Sequence, residues 1–301
     1  MTRSNGCGHC PGSHTGERPC LATATTKARA WLLVEHPGPW PEHITDLPGP
    51  DPVAEAVRAA KKAGVRPQLI RRPGRRRATP PVQVYAAFSR GGEVWMEGRE
   101  LADPAELAAL DLDALAAGRS PGLGGPVTEP VVLACTHGRH NACCARTGAP
   151  LARALARRFD RRIWETTHVG GDRFAANLVC LPHGLYYGDL GETEAVRAVD
   201  AYLRGEVVLD RLRGRAGMPE PAQAAEHFVR AHTGRLGVDE VTVESVTGAS
   251  RYETVVAVQQ SRYRVTVEAV RQPDPCGADC GENTRTYVVR ELTLLNEATL
   301  V

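Results

Sequence analysis

One succession of elements, strand–helix–strand–strand–strand–helix, is readable twice along this chain, at a spacing of about a hundred residues. In the first copy, Ala30–Glu35 (Ala-Trp-Leu-Leu-Val-Glu) is an apolar run of strand length, stopped by His36-Pro37-Gly38-Pro39. Asp51 suits a helix N-cap and Pro52 the first helical position, and Val53, Ala56, Val57 and Ala60 form one apolar stripe before Gly64. Strands follow at 66–71, 82–88 and 93–98, with a second helix over 104–117. The Gly- and Pro-rich stretch 118–130 then reads as a flexible linker.

The second copy begins with a strand at 131–134 and a loop rich in Cys and His. A helix from Pro150 carries Leu151, Leu155 and Phe159 on one face. Strands at 162–167, 176–181 and 184–188 come next, then a helix over 193–204 ended by Gly205. This order is what a thioredoxin-like lobe needs, so the repeat predicts an α/β protein of two tandem thioredoxin-like lobes, residues 25–120 and 128–205, each with a central mixed sheet. The first lobe lacks Cys and His in its first loop and reads as a structural partner. Residues 1–24 form a Cys-containing leader expected to be flexible. Residues 206–301 predict a small α+β domain, with a helix over 221–232 and antiparallel strands at 240–246, 253–258, 263–270 and 285–295.

A formal net charge of +2 is too small to mark nucleic acid as a general partner. The basic run Arg71-Arg72-Pro73-Gly74-Arg75-Arg76-Arg77 has no interleaved aromatics to stack on bases, and reads as an exposed loop tip or a dock for an acidic partner. No stretch approaches the ~20 apolar residues of a membrane span. Met1 to Cys20 lacks the apolar core of a secretory signal, so a cytoplasmic location is expected. In that reducing compartment the nine cysteines, clustered in three places, serve metals or redox chemistry rather than structural disulfides.

The chemistry concentrates in the second lobe. Cys135 ends its first strand and Cys144 follows after eight residues, while His168-Val169-Gly170-Gly171-Asp172 lies just past the next strand. Two soft thiolates in one loop and an imidazole in another, at one end of a parallel strand pair, make a convergent metal site. Gly170 and Gly171 permit a tight turn, keep bulk away from a bound group and offer N–H donors. The bland reading of each residue alone is a small buried thiol or a capping histidine. Together with the Gly-Gly turn, the set favours a site. Cys180, in a strand, reads as core, and His137 and His140 read as solvated loop histidines.

The stretches 135–144, Trp164-Glu-Thr-Thr-His-Val-Gly-Gly-Asp-Arg-Phe-Ala-Ala-Asn177 and Leu181-Pro-His-Gly-Leu-Tyr-Tyr-Gly188 closely resemble the sucrase/ferredoxin-like family of thioredoxin-like ferredoxins. Trp31-Leu-Leu-Val-Glu-His-Pro-Gly-Pro-Trp40 and Arg71-Arg-Pro-Gly74 look like its bacterial members, and the likeness runs over about residues 20–235. The resemblance implies a [2Fe–2S] cluster in a C-x8-C plus H-x-G-G-H pattern, two thiolates on one iron and two imidazoles on the other. Cys135, Cys144 and His168 match it. Asp172 stands where the second histidine belongs, so the fourth ligand is either its carboxylate or the spare thiol of Cys143. What this implies is an electron carrier working with a redox partner protein more than a stand-alone enzyme. Nothing supports the "sucrase" of the family name, since no carboxylate pair suits glycosidase chemistry.

Two further dithiols flank these lobes. Cys7-Gly8-His9-Cys10 has the spacing of a thiol–disulfide oxidoreductase but lacks the strand before it and the helix N-terminus after it. Cys276-Gly-Ala-Asp-Cys280 lies in a turn between two C-terminal strands, and with Cys7 and Cys10 could form a four-thiolate zinc site. The rival functions are therefore a thiol-dependent reductase using Cys7 and Cys10, and a zinc-stabilised interaction protein with no redox role.

Overall fold

In the computed structural model, which describes residues 22–74, 81–90, 93–271 and 285–295, the run Ala30–Glu35 (β1) is buried along its whole length. A strand can be apolar on both faces only when both are covered. Leu32 and Val34 face a core under the helix Pro52–Lys62 (α1), and Trp31 and Leu33 face a second core on the other side. Asp51 caps α1 by accepting the Val53 N–H at 2.7 Å. The first half continues through Arg66–Arg71 (β2), Val82–Arg90 (β3), Glu93–Leu101 (β4), Leu112–Ala116 (α2) and Gly125–Pro126 (β5).

The second half comprises Val131–Cys135 (β6), Ala142–Phe159 (α3), Ile163–Thr166 (β7), Leu178–Leu181 (β8), Leu185–Tyr187 (β9) and Glu192–Leu203 (α4). Its strand pairing repeats that of the first. β1 runs parallel to β2 and antiparallel to β3, which pairs with β4; β6 runs parallel to β7 and antiparallel to β8, which pairs with β9. The two sets do not keep separate sheets. They join edge to edge where β2 pairs with β7 antiparallel, Ile70 opposite Thr166 and Arg71 opposite Glu165, in one ten-stranded sheet. Leu212–Arg215 (β10) extends it beyond β9, a strand hidden in the sequence because two of its four residues are arginines.

That sheet curls. Trp31 on β1 and Tyr186 on β9 are five strand steps apart, about 24 Å in a flat sheet, yet their ring centroids are 6.5 Å apart. Trp31 Nε1 donates to Ser89 Oγ at 3.1 Å, and Ser89 in turn donates to the Pro182 carbonyl, tying β3 to the β8–β9 turn. The enclosed face holds Leu33, Ile70, Tyr85, Leu133, Trp164 and Val179, with residues from both halves in one core. Burying side chains from both halves together couples their stability.

Several expected boundaries shift for identifiable reasons. The helix expected over 104–117 breaks into a 3₁₀ turn, Pro104–Ala109, and α2, because Leu110 is extended and the Asp111 carboxylate caps a new start at Ala114 N–H (2.8 Å). The stretch 118–130 is no loose linker: Leu123 is buried, its N–H donates to Glu97, and Val127 N–H donates to the Met96 carbonyl at 2.8 Å. Helix α3 starts eight residues before Pro150, which sits inside it. The opening arginines of the basic run are also held inward. Arg71 lies 3.9 Å from the Trp40 ring centroid and pairs at 2.6 Å with the buried Glu165, and Arg72 lies 3.5 Å from the Trp164 ring centroid. Arg75, Arg76 and Arg77 lie outside the described residues.

The remaining elements are Glu220–Thr233 (α5) and a four-stranded antiparallel sheet of Val241–Gly248 (β11), Arg251–Val258 (β12), Ser261–Arg271 (β13) and Arg285–Leu295 (β14), in sequence order. Alternation along β12 and β13 turns Val256, Val265 and Val267 inward against Ala225 and Val229 of α5. No helix among the described residues is long and apolar enough to cross a membrane.

Candidate metal centre

β6 delivers Cys135 to the end of a buried strand, and the chain then turns through Thr136–His140 into α3. Asn141 makes that start possible. Its Oδ1 accepts the Cys143 N–H at 2.8 Å, an N-cap that aligns the first helical turn with Cys144 facing inward. One turn later Gly148 crosses the strand end, where a β carbon would overlap the carbonyl oxygen of Cys135. This glycine lets α3 lie close enough to β6 for the two thiols to meet.

His168 follows β7 and is held at both ends of its peptide. Its N–H donates to His137 Nδ1 at 3.2 Å, and its carbonyl accepts from Gln68 Nε2 and Arg66 Nη2, each at 3.3 Å. Gln68 also accepts from the hydroxyls of Thr166 and Thr167 at 3.0 and 2.7 Å. Because Gln68 and Arg66 belong to β2, the first half of the chain places a site residue of the second.

The outcome is convergence. One ligand atom each from Cys135, Cys144 and His168 lies within 4.8 Å of the others, with both cysteines buried and the histidine half-buried. Cys144 Sγ is 3.9 Å from His168 Nδ1. The Cys144 thiol beside it holds the Cys135 pKa well below the usual thiol value, and His168 adds to the effect against the cost of burial. The same hydrogen bond, with burial, makes Cys144 the harder of the two to ionise. Two thiols and an imidazole brought together in this way suit a thiophilic metal of borderline softness.

Asp172 and Cys143 lie beside this group, not in it. The Asp172 carboxylate accepts from Asn141 Nδ2, which ties the second loop to the start of α3. Cys143 precedes Cys144 on the helix and is half-buried. Gly170 and Gly171 have φ of 95° and 74°, the left-handed turn that glycine takes without strain. The space beside Gly171 is filled by Arg213 of β10, whose guanidinium a β carbon would strike. That arginine is buried and donates to the Gly170 carbonyl at 2.9 Å and to Asn177 Oδ1 at 2.7 Å, so it props the loop from behind.

Of the first-loop histidines, His137 is buried and His140 is half-buried. His137 is 2% exposed, donates from Nε2 to the Pro41 carbonyl at 2.7 Å and accepts from His168, so both its ring nitrogens are used. Burial lowers its pKa, which keeps the ring neutral for these two roles. His140 stacks on His168 with centroids 3.9 Å apart. A cavity of about 390 Å³ bordered by Glu42, His43, Lys61, His140 and His168 opens the site to the surface. Cys180 is buried in β8, where burial pushes its thiol pKa up, and packs in the second-half core. Cys7, Cys10, Cys276 and Cys280 lie outside the described residues.

Compared with protein families, the chain matches the sucrase/ferredoxin-like description over residues 21–214. The chain belongs to the sucrase/ferredoxin-like family. No curated protein and no solved structure matches it. The family span takes in both halves of the ten-stranded sheet and the whole thiol–imidazole group, and stops within β10. In this member α5 and the four-stranded sheet lie beyond the matched span.

Proposed function

We propose that this sucrase/ferredoxin-like protein is a one-electron carrier in which Cys135, Cys144 and His168 hold a [2Fe–2S] cluster. The observation that carries the reading is the convergence of two buried thiols and one imidazole within 4.8 Å. The donor set fits such a group: thiolates hold iron–sulfur clusters, and imidazole replaces thiolate on one iron in centres of higher potential. When bound, the cluster supplies reversible one-electron chemistry.

The chain's own residues prepare the site. Asn141 and Gly148 set the approach of Cys144 to Cys135, and Gln68, Arg66 and His137 fix the His168 peptide. Within each half, a parallel strand pair is followed by an antiparallel hairpin, the pairing of a thioredoxin-like lobe; that supports reading the protein as two such lobes, the second bearing the redox centre. His168 is half-buried beside a surface cavity, as outer-sphere exchange with a partner protein requires.

Anaerobic purification followed by iron and acid-labile sulfide analysis tests this. A red-brown protein with two irons and two sulfides per chain is expected, and Cys135→Ser and Cys144→Ser should each abolish the colour. A colourless protein loaded with zinc would instead make the same three residues a structural metal site.

A further inference from the structure

His140 stands beside the group of Cys135, Cys144 and His168, although its spacing from the two cysteines does not announce it. Its ring lies against that of His168, with centroids 3.9 Å apart and planes 30° from parallel. Its Nδ1 is 3.2 Å from the Glu42 carbonyl, an oxygen that can only accept, so Nδ1 carries the proton and Nε2 keeps its lone pair. A histidine that ligates a metal characteristically donates its other ring N–H to such a carbonyl, which fixes tautomer and orientation together. His137 cannot serve in this way, because both its nitrogens are engaged. The Asp172 carboxylate receives the Asn141 amide, and Cys143 stands next to Cys144 on α3, where adjacent side chains point in different directions.

We propose that His140, through Nε2, fills the fourth ligand position of the centre, in preference to Asp172 and Cys143. The inference rests on the cluster reading above for the identity of the bound group. Its structural basis is the loop carrying Glu42, which comes from the first half of the chain and orients an imidazole of the second. The first lobe then contributes to the redox site through that carbonyl as well as through Gln68 and Arg66.

Two measurements test it. In the reduced wild-type protein, pulsed EPR should detect two strongly coupled nitrogens; His140→Cys should keep the cluster and show one, while Asp172→Asn and Cys143→Ser should still show two. In parallel, cobalt(II) titration of the metal-free protein should give at least tenfold weaker binding for His140→Ala, and Cys143→Ser should bind like wild type, with circular dichroism confirming that each variant is folded. A single coupled nitrogen in wild type, or two in His140→Cys, would overturn the assignment while leaving the cluster reading intact. A wild-type protein without iron that still loses cobalt affinity in His140→Ala would sink the cluster and uphold His140 as a ligand. Unchanged cobalt binding in such an iron-free protein would end the proposal.

Discussion

Gly148 of α3 passes so close to the carbonyl oxygen of Cys135 that a β carbon on it would overlap that atom. Backbone of the strand end, not a side chain that could swing away, is the obstacle. In an ordinary helix interior, replacing glycine with alanine stabilises by about 1 kcal/mol. Here the sign should reverse. Gly148→Ala should push α3 off β6, separate Cys144 from Cys135, cost about 1–3 kcal/mol as overpacking does, and lower iron content. Urea denaturation and metal analysis of the same preparation check both effects.

The paired glycines of the second loop make an internal contrast. Both have positive φ, but the β-carbon position of Gly170 is open whereas that of Gly171 is occupied by Arg213. Gly170→Ala should therefore cost only the left-handed backbone strain, about 1–2 kcal/mol. Gly171→Ala should cost more, because it also displaces a buried arginine that holds Gly170 and Asn177. The difference between their denaturation midpoints reads out the role of Arg213.

Much of this architecture is visible in residue patterns. β1, β2, α1 and the four C-terminal strands follow from apolar runs, alternation and the Asp51-Pro52 start, all of which are local signals. Cys135, Cys144 and His168 are legible because soft donors are rare and their loops follow parallel neighbours. What escapes is whatever depends on distant partners. The Asn141 start of α3 is masked by Pro150, which resembles a first helical residue yet lies mid-helix. β10 is hidden because Arg213 and Arg215 look like surface residues until Asn177, Gly170 and Glu226 are seen to receive them. His137 and His140 look like solvated loop residues because the carbonyls of Pro41 and Glu42 that hold them come from nearly a hundred residues earlier.

Where β10 meets α5, Glu226 bonds two buried arginines, Arg215 at 3.2 Å and Arg230 at 2.9 Å. Burial alone would raise its pKa, but Arg215 and Arg230 outweigh it and the carboxyl sits below its ordinary value. A depressed carboxyl contributes stability that is fully present above the unfolded-state pKa and is lost as pH falls through the folded one. Glu226→Gln should thus cost about 3–5 kcal/mol at pH 7, since it leaves two buried cations uncompensated. The gap between variant and wild type should narrow below about pH 4. Urea titrations at pH 7 and on the acid limb measure both.

The proposed cluster would hold two chemically different irons, bound by Cys135, Cys144 and His168, the three residues whose ligand atoms converge. Mössbauer spectroscopy of protein loaded with iron-57 resolves the two irons. Two oxidised doublets of equal area with distinct isomer shifts are expected, one for iron held by sulfur alone and one for iron with nitrogen ligation. One-electron reduction should convert only the nitrogen-ligated iron to the ferrous form. A single doublet from equivalent irons, or a spectrum of one isolated iron without sulfide, would contradict it.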